Sequence, residues 1–393
     1  MKRISLSITI ILYLLCYMNV YALELDLYSN NAILYNMKED NIIYEKNSHE
    51  KVSIASLTKI MTGIVAIENI NNLDDPVTLT TTDFKGLIEA NASQAGFRVG
   101  EVVTYRDLLY GLMLPSGADA AQALTRNIAG SNEKFVELMN NKAQELKLEN
   151  THYENPTGLD DDNHYSTVSD VLTVLKYAYQ NEEFKTIITT QEYTTSNKRL
   201  TFKSTLSKAQ NMEMDYLKGG KTGSTGDAGL CLATIANYDD TDFLLVTAKA
   251  EYSTVPKNFL DHKTIHEYIR DHYNYQEIVN KNDILVSLKT KYLKEDKIDF
   301  YSPKTINKYL DDTFDKKNVL YKYQGKKIIN SKMKKGEKLG TVKIYYHENI
   351  LAEENIILSY TPKFSLLKYV NDNKVYILII NILIIGTIII IKK

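Results

Sequence analysis

The spacing of apolar and polar residues along the chain predicts an alternation of strands and helices. Two short apolar runs, 31–35 and 41–45, flank the polar segment 37–40 and predict two strands joined by a turn. The runs 229–236 and 243–248 are strand-like as well. Apolar residues recur every three to four positions, as in helices with one buried face, in segments 56–67, 105–114, 119–128, 132–146, 170–178 and 256–273.

Both ends of the chain are strongly apolar and predict an exported protein held in a membrane. Residues 1–22 resemble a signal peptide, with a basic start, an apolar stretch at 4–17 and small residues near the end. Residues 374–391 are almost all Ile, Leu and Val between lysines, which predicts a transmembrane anchor. Because lysines favour the inner side of a membrane, we expect the body of the chain on the extracytoplasmic side of the cell membrane. An uncleaved N-terminal anchor and a buried core helix are the alternatives.

The composition of the chain changes near residue 275, which predicts a second domain. Residues 276–366 are rich in Lys, Asp and Tyr and contain strand-like pieces such as 284–288 and 340–346. A small β-rich domain is therefore expected there. The first domain then covers 23–275 and holds every motif described below.

Charge and cysteine content narrow the classes of function. The chain has 47 Lys and Arg against 49 Asp and Glu, a net charge of −2, so no basic excess points to a nucleic-acid partner. Cys16 lies in the predicted signal peptide, which leaves Cys231 as the single cysteine of the mature chain. No internal disulfide is expected, and Cys231 is interpreted as a small buried residue.

The segment Ser56-Leu-Thr-Lys59 carries the first chemical motif. A serine three residues before a lysine at the start of a helix puts hydroxyl and amine on one face, as a nucleophile and its base require. The amine must be neutral to accept a proton, so its pKa has to be lowered by burial or by a neighbouring cation. Taken alone, the spacing is also compatible with a helix cap followed by a solvated lysine.

Two further motifs follow in chain order. Ser116 and Gly117 occupy the turn after Pro115, between two predicted helices. Lys221-Thr222-Gly223 lies on or just before a predicted strand. This last motif superficially resembles a phosphate-binding loop, but Asp215 stands where that pattern requires glycine, which argues against nucleotide binding.

The three motifs in this order resemble those of the low-molecular-mass penicillin-binding proteins, the serine-type D-alanyl-D-alanine carboxypeptidases. The resemblance covers residues 31–273 and includes Asn155-Pro-Thr-Gly and His164-Tyr-Ser-Thr. It implies an α+β fold of the β-lactamase and transpeptidase type, a five-stranded antiparallel sheet with helices on both sides. It also implies that 23–275 is the catalytic domain, that 276–366 is a β-rich C-terminal domain and that 374–391 is the anchor.

The resemblance implies a role for each residue of the first two motifs. Ser56 would attack the carbonyl of the penultimate D-Ala of a peptidoglycan stem peptide, and Lys59 would take its proton. Ser116 would relay a proton to the leaving D-Ala nitrogen. β-Lactam antibiotics would acylate the same serine, and no metal or organic cofactor is implied.

The resemblance also implies roles for the third motif. Lys221 would supply positive charge near the terminal carboxylate and would help to lower the pKa of Lys59, while Thr222 would contribute its hydroxyl. Gly223 would let the substrate backbone lie against the strand. Backbone N–H groups of Ser56 and Ser224 would form the oxyanion hole.

The chain departs from the family pattern at two places. Ala118 replaces the asparagine that the middle motif usually carries, which removes hydrogen bonds to substrate and lysine. Only Lys257 is available for the arginine often found downstream. A β-lactamase-like hydrolase is one alternative, although the nearest candidate for its deacylating loop is only Glu154-Asn155-Pro-Thr-Gly. A catalytically impaired, cell-wall-binding membrane protein is the other.

Overall fold

A computed structural model describes the backbone of residues 24–391. The predicted signal peptide, residues 1–22, lies outside the described residues. The chain divides into two compact units, the first ending at Asp271 and the second beginning at His272. Each unit has its own hydrophobic core.

A five-stranded antiparallel sheet forms the centre of the first unit. Its strands lie in the order β2-β1-β9-β8-β7, so β7 is an edge strand although it lies in the middle of the chain sequence. The predicted hairpin is present as β1 and β2. The nine strands described in this unit are β1 Ser29–Asn36, β2 Asn41–Lys46, β3 Pro76–Thr78, β4 Val102–Thr104, β5 Glu192–Thr194, β6 Thr201–Lys203, β7 Leu217–Thr225, β8 Gly229–Tyr238 and β9 Thr241–Ala250.

Helices cover both faces of this sheet because successive strand residues point to opposite sides. On one face, Ala233, Ile235 and Val246 belong to the main core, which α1 and α5 complete. On the other face, Thr234 and Thr247 hydrogen-bond His262 of α7 at 2.9 and 3.0 Å. The helices are α1 Thr58–Asn69, α2 Tyr105–Met113, α3 Ala118–Ala129, α4 Asn132–Glu145, α5 Val168–Tyr179, α6 Glu182–Thr189 and α7 Lys257–His272. The predicted α+β architecture is confirmed.

The second unit is built from short, mainly antiparallel sheets, as its strand-like pieces predict, with one parallel pair between residues 289–291 and 328–330. Its core contains fully buried Ile278, Val279, Ile329, Val342 and Ile344. The strands are β10 Tyr273–Val279, β11 Ile284–Lys291, β12 Lys297–Tyr301, β13 Ile306–Asp311, β14 Val319–Gly325, β15 Ile328–Asn330, β16 Lys338–Tyr346 and β17 Asn349–Ile357.

The chain ends in the long apolar helix α8, Leu366–Ile391. Its segment Leu366–Ile388 has a mean hydropathy of 1.3, and most of its apolar side chains are exposed. At 1.5 Å per residue, these 23 residues extend over about 34 Å, enough to cross a bilayer core of about 30 Å. The helix begins eight residues before the predicted anchor, because 366–373 continue the helical backbone with a mixture of apolar and polar residues.

Candidate active site

Ser56 lies in a single 3₁₀ turn, Ala55–Leu57, directly before α1. The expectation that α1 begins at this serine is therefore wrong by two residues, since the helix starts at Thr58. Ala55 has a positive φ of 48°, which turns the chain sharply before the serine. The turn still brings the hydroxyl and the amine together, as a continuous helix would, since Lys59 Nζ donates to Ser56 Oγ at 2.9 Å.

Lys59 is almost fully buried, and its amine makes two hydrogen bonds, one of them to Ser56. Its amine also donates to the carbonyl of Thr157 at 2.6 Å. Burial lowers the pKa of the Lys59 amine to about 7, and the negative charge of buried Asp119 partly opposes that shift. A large fraction of this amine is therefore neutral near pH 7 and available as a base for Ser56.

Lys221 lies within β7 and has no exposed surface. Its amine donates to the carbonyl of Thr222 at 2.8 Å. Burial, together with the positive charge of Lys59, lowers the pKa of Lys221 well below its ordinary value. Burial is the cause of the lowered pKa of Lys59, whereas the positive charge of Lys59 contributes to the lowered pKa of Lys221. Burial and the charge of Lys59 thus disfavour the permanent positive charge expected for Lys221.

The rest of the third motif packs directly against the serine turn. A Cβ atom added at Gly223 would lie 3.0 Å from the backbone nitrogen of Ser56, so a side chain there would crowd the backbone of Ser56. Thr222 Oγ1 donates to Thr205 Oγ1 at 2.9 Å. Glycine at 223 thus permits the close approach of β7 to the turn.

Ser116 is buried on the loop between α2 and α3, as its position after Pro115 predicts. Its φ of 67° is unusual for a residue with a side chain. Such conformations cost of order 1–3 kcal/mol and cluster at functional sites. The backbone N–H of Gly117 bonds the carbonyl of Gly111 at 2.9 Å, which fixes the loop to α2.

Two cavities meet at Ser56. The large cavity has a volume of about 690 Å³ and takes its lining from segments around residues 56, 91, 118, 158, 225 and 252. The small cavity, about 190 Å³, is lined by Ser116 and β7 among others. Six of the seven predicted site residues line one cavity or both, and these are Ser56, Lys59, Ser116, Thr222, Gly223 and Ser224. Lys221 is buried beside them.

A turn that sequence reasoning left without a role supports the Ser56–Lys59 pair. The side-chain oxygen of Asn155 accepts from the backbone N–H groups of Thr157, Gly158 and Leu159 at 3.1, 2.8 and 3.1 Å. This turn presents the Thr157 carbonyl to Lys59. Gly158 has a φ of 79°, and a Cβ atom there would lie 1.9 Å from the carbonyl oxygen of Ala55. The Asn155-Pro-Thr-Gly sequence was the feature from which this supporting turn could have been predicted.

His164 is a second supporting residue. It is buried, and its Nε2 lies 2.8 Å from Thr58 Oγ1, directly behind the serine turn. The backbone N–H of Glu154 donates to the other ring nitrogen, so Nε2 carries the proton and donates to Thr58. Burial lowers the pKa of His164 to about 4. This histidine is thus a neutral group that supports the serine turn.

Two other candidates lie apart from the cavities. Lys257 pairs with Glu251 and does not line either cavity, so it makes a poor substitute for an arginine. Cys231 is fully buried, and burial raises the pKa of its thiol to about 12, which leaves it unreactive. Within residues 24–391, no group of three potential metal ligands is found.

The sheet with helices on both faces, and the hydroxyl–amine pair beside its edge strand, define a serine hydrolase. The family model for D-alanyl-D-alanine carboxypeptidase matches residues 18–251, and the model for the C-terminal domain of penicillin-binding protein 5 matches residues 273–366. The chain belongs to the D-alanyl-D-alanine carboxypeptidase family.

Individual relatives agree with this assignment. The chain is 28% identical to the D-alanyl-D-alanine carboxypeptidase DacF of Bacillus subtilis over 84% of each sequence. The crystal structure of the Streptomyces K15 DD-transpeptidase matches with a TM-score of 0.58 and 30% identity, over 63% of this chain and 98% of that one. Penicillin-binding protein 5 from Haemophilus influenzae matches with a TM-score of 0.67 over 86% of this chain and 98% of its own, and at 20% identity it supports the fold alone.

Proposed function

We propose that the chain removes the terminal D-Ala from peptidoglycan stem peptides through an acyl-enzyme on Ser56. The observation that carries this proposal is the 2.9 Å hydrogen bond from Lys59 Nζ to Ser56 Oγ, made by an amine whose pKa is lowered to about 7. A serine at its ordinary pKa is a weak nucleophile, and a neutral amine within hydrogen-bonding distance removes its proton during attack.

The reaction proceeds in two halves. Ser56 Oγ attacks the carbonyl carbon of the penultimate D-Ala while Lys59 takes the hydroxyl proton. Backbone N–H groups of Ser56 and Ser224 stabilise the oxyanion that forms. As the peptide bond breaks, Ser116 relays the proton held by Lys59 to the departing D-Ala nitrogen, so Lys59 is neutral again for the second half. Water then hydrolyses the ester on Ser56 and releases the shortened peptide.

The terminal carboxylate of the substrate binds near Lys221 and Thr222. The pKa of the Lys221 amine is lowered by burial and by the positive charge of Lys59, so its protonated form is disfavoured. A bound carboxylate favours the charged form, so substrate binding draws a proton onto Lys221. A β-lactam presents a carboxylate and a reactive carbonyl in the same way and acylates Ser56.

The cellular placement is also part of the proposal. Residues 1–22 direct export, 23–275 form the catalytic domain, 276–366 form the β-rich domain, and 374–391 lie in the cell membrane with the catalytic domain on the extracytoplasmic side. The support is the apolar helical segment Leu366–Ile388, which is long enough to cross a bilayer, and the lysines Lys392 and Lys393 that follow it in the sequence. Peptidoglycan lies on that side of the membrane.

A β-lactamase-like activity is less well supported. That activity needs a base that hydrolyses the penicilloyl ester rapidly, and the candidate Glu154 is exposed and is absent from the described lining of both cavities. The carboxylate that does line the large cavity, Asp160, accepts a hydrogen bond from Thr225 at 2.5 Å.

The direct test is D-Ala release from a stem pentapeptide ending in D-Ala-D-Ala, measured with the full chain in detergent. We expect one D-Ala per peptide from the wild type and none from Ser56→Ala. A folded wild type that releases no D-Ala would overturn the proposal and favour the cell-wall-binding alternative. Rapid turnover of penicillin without D-Ala release would favour the β-lactamase.

A further inference from the structure

The large cavity contains one side chain suited to hold a peptide backbone. An extended peptide offers an N–H donor and a C=O acceptor at each residue, and a carboxamide matches both. Asn91 carries the only carboxamide among the described residues that line this cavity. Ala118, where the second motif reaches the same cavity, offers only a methyl group.

Asn91 lies on a segment that is bonded to the position of Ala118. The backbone N–H of Ala118 donates to the carbonyl of Ser93 at 2.7 Å. The buried carboxylate of Asp119 accepts from the backbone N–H groups of Ala95 and Gly96 at 2.7 and 3.1 Å. These bonds tie the segment carrying Asn91 to the first turn of α3. The Asn91 carboxamide and the Ala118 methyl group therefore belong to one hydrogen-bonded part of the wall of the large cavity.

The Asn91 side chain is exposed and makes no hydrogen bond to another described residue. Asn258, on the wall of the small cavity, differs, because it donates to the carbonyl of Cys231 at 3.1 Å and accepts from Phe259 N at 3.1 Å. Asn258 thus holds the protein together, whereas both hydrogen-bonding groups of Asn91 remain available to a ligand.

We infer that Asn91 binds the backbone amide of the substrate's stem peptide and so replaces the side-chain hydrogen bonds that Ala118 cannot make. The inference rests on the proposed function and adds a specificity-determining residue to it. The carboxamide donates to a peptide carbonyl and accepts from a peptide N–H of the acyl donor, which holds the scissile carbonyl at Ser56.

The left-handed backbone of Asn91, with φ of 47°, offers a competing explanation, since asparagine tolerates that conformation. The substitution Asn91→Gly separates the two, because glycine keeps the backbone and removes the carboxamide. Asn282 provides the matched control. It is also exposed and left-handed, with φ of 72°, and belongs to the second unit.

The test compares kcat/KM for D-Ala release by the wild type, Asn91→Gly, Asn282→Gly and the double variant Asn91→Gly/Ala118→Asn. We expect Asn91→Gly to lower kcat/KM about tenfold, the size of one or two hydrogen bonds, and Asn282→Gly to leave it unchanged. Asparagine at 118 should restore much of the loss. With a substrate whose amide before the penultimate D-Ala is replaced by an ester, the effect of Asn91→Gly should shrink.

Equal kcat/KM for Asn91→Gly and an active wild type would overturn the inference and leave the proposed function intact. A tenfold loss that is the same for amide and ester substrates would also overturn it, since it would indicate a structural effect. The proposed function fails separately, through absence of D-Ala release from the wild type. Stoichiometric labelling of Asn91→Gly by fluorescent penicillin shows that its active site is folded.

Discussion

The two units of the chain differ in what they bury. The first unit encloses charged or titratable side chains, including Lys59, Asp119, His164 and Lys221, each at most 3% exposed. The second unit, within its described residues, buries an almost purely apolar set, and Ser302 is its one buried polar side chain. Buried amines are unfavourable unless compensated, so a core that contains them is organised for chemistry rather than for stability.

The largest expected effect follows from Lys59→Arg. Arginine keeps the positive charge but cannot lose its proton, so we expect kcat/KM for D-Ala release to fall about 10³-fold. In the wild type, the neutral amine is the active form, so activity should rise as pH increases through about 7. The control is Lys218→Arg, an exposed position on the same strand as Lys221. Retention of full activity by Lys59→Arg would contradict the role of this amine as base.

Truncating a buried side chain in the second unit should lower the stability of that unit without affecting catalysis. Ile329→Ala removes a fully buried side chain, and we expect a loss of about 3–4 kcal/mol in the free energy of unfolding of that unit. Its neighbour Ile328 is 48% exposed, so Ile328→Ala should cost much less. Penicillin labelling of Ser56 should stay stoichiometric in both variants. Lost labelling in the folded Ile329→Ala protein would show that the two units are coupled.

Gly158→Ala should destabilise the first unit by about 3 kcal/mol, because the new Cβ atom collides with the Ala55 carbonyl in addition to straining a positive φ. Gly100→Ala measures the cost of the positive φ without a collision, since Gly100 has a similar φ of 77° and open space around it. We expect that control to cost only about 1 kcal/mol. Thermal unfolding and D-Ala release should both report the difference, and equal effects would contradict the proposed support of the serine turn.

The smallest expected effect is a gain in stability. Lys59→Met should raise the free energy of unfolding by about 1–2 kcal/mol at pH 7 while abolishing turnover, because a buried amine is replaced by an apolar chain of similar length. The ordinary pKa of a lysine is 10.5, and that of Lys59 is about 7 in the folded protein. The unfolded state therefore binds more protons between these two pH values, and wild-type stability rises with pH.

The gain from Lys59→Met should therefore be full below pH 7 and shrink as pH rises from 7 to 10.5. Unfolding by denaturant across this range provides the measurement, with exposed Lys134→Met as the control. A gain that does not change with pH would show that burial does not disfavour the protonated amine.

The sequence was most informative where a pattern is local. The hydrophobic spacing predicted α2 at 105–114, and the structure has Tyr105–Met113. Pro115 predicted the turn that holds Ser116. The polar segment 37–40 predicted the hairpin of β1 and β2. In each case, neighbouring residues decide the backbone conformation.

Contacts between segments that lie far apart along the chain could not be predicted from the sequence. The carbonyl of Thr157 accepts from Lys59 across 98 positions, and no periodicity reveals such a pair. The need for glycine at 158 arises from the Ala55 carbonyl, which only the folded chain brings near. The 3₁₀ turn at Ser56 was hidden for the same reason, because its geometry depends on packing against Gly223.

Ser56 is expected to form a covalent ester with substrate-like ligands, and every proposed step depends on that ester. The most direct measurement is intact-mass analysis of the protein after reaction with benzylpenicillin, followed by peptide mapping of the modified residue. We predict one added penicilloyl group per chain, located on Ser56. Modification at another residue, or no covalent adduct on a folded protein, would contradict the account.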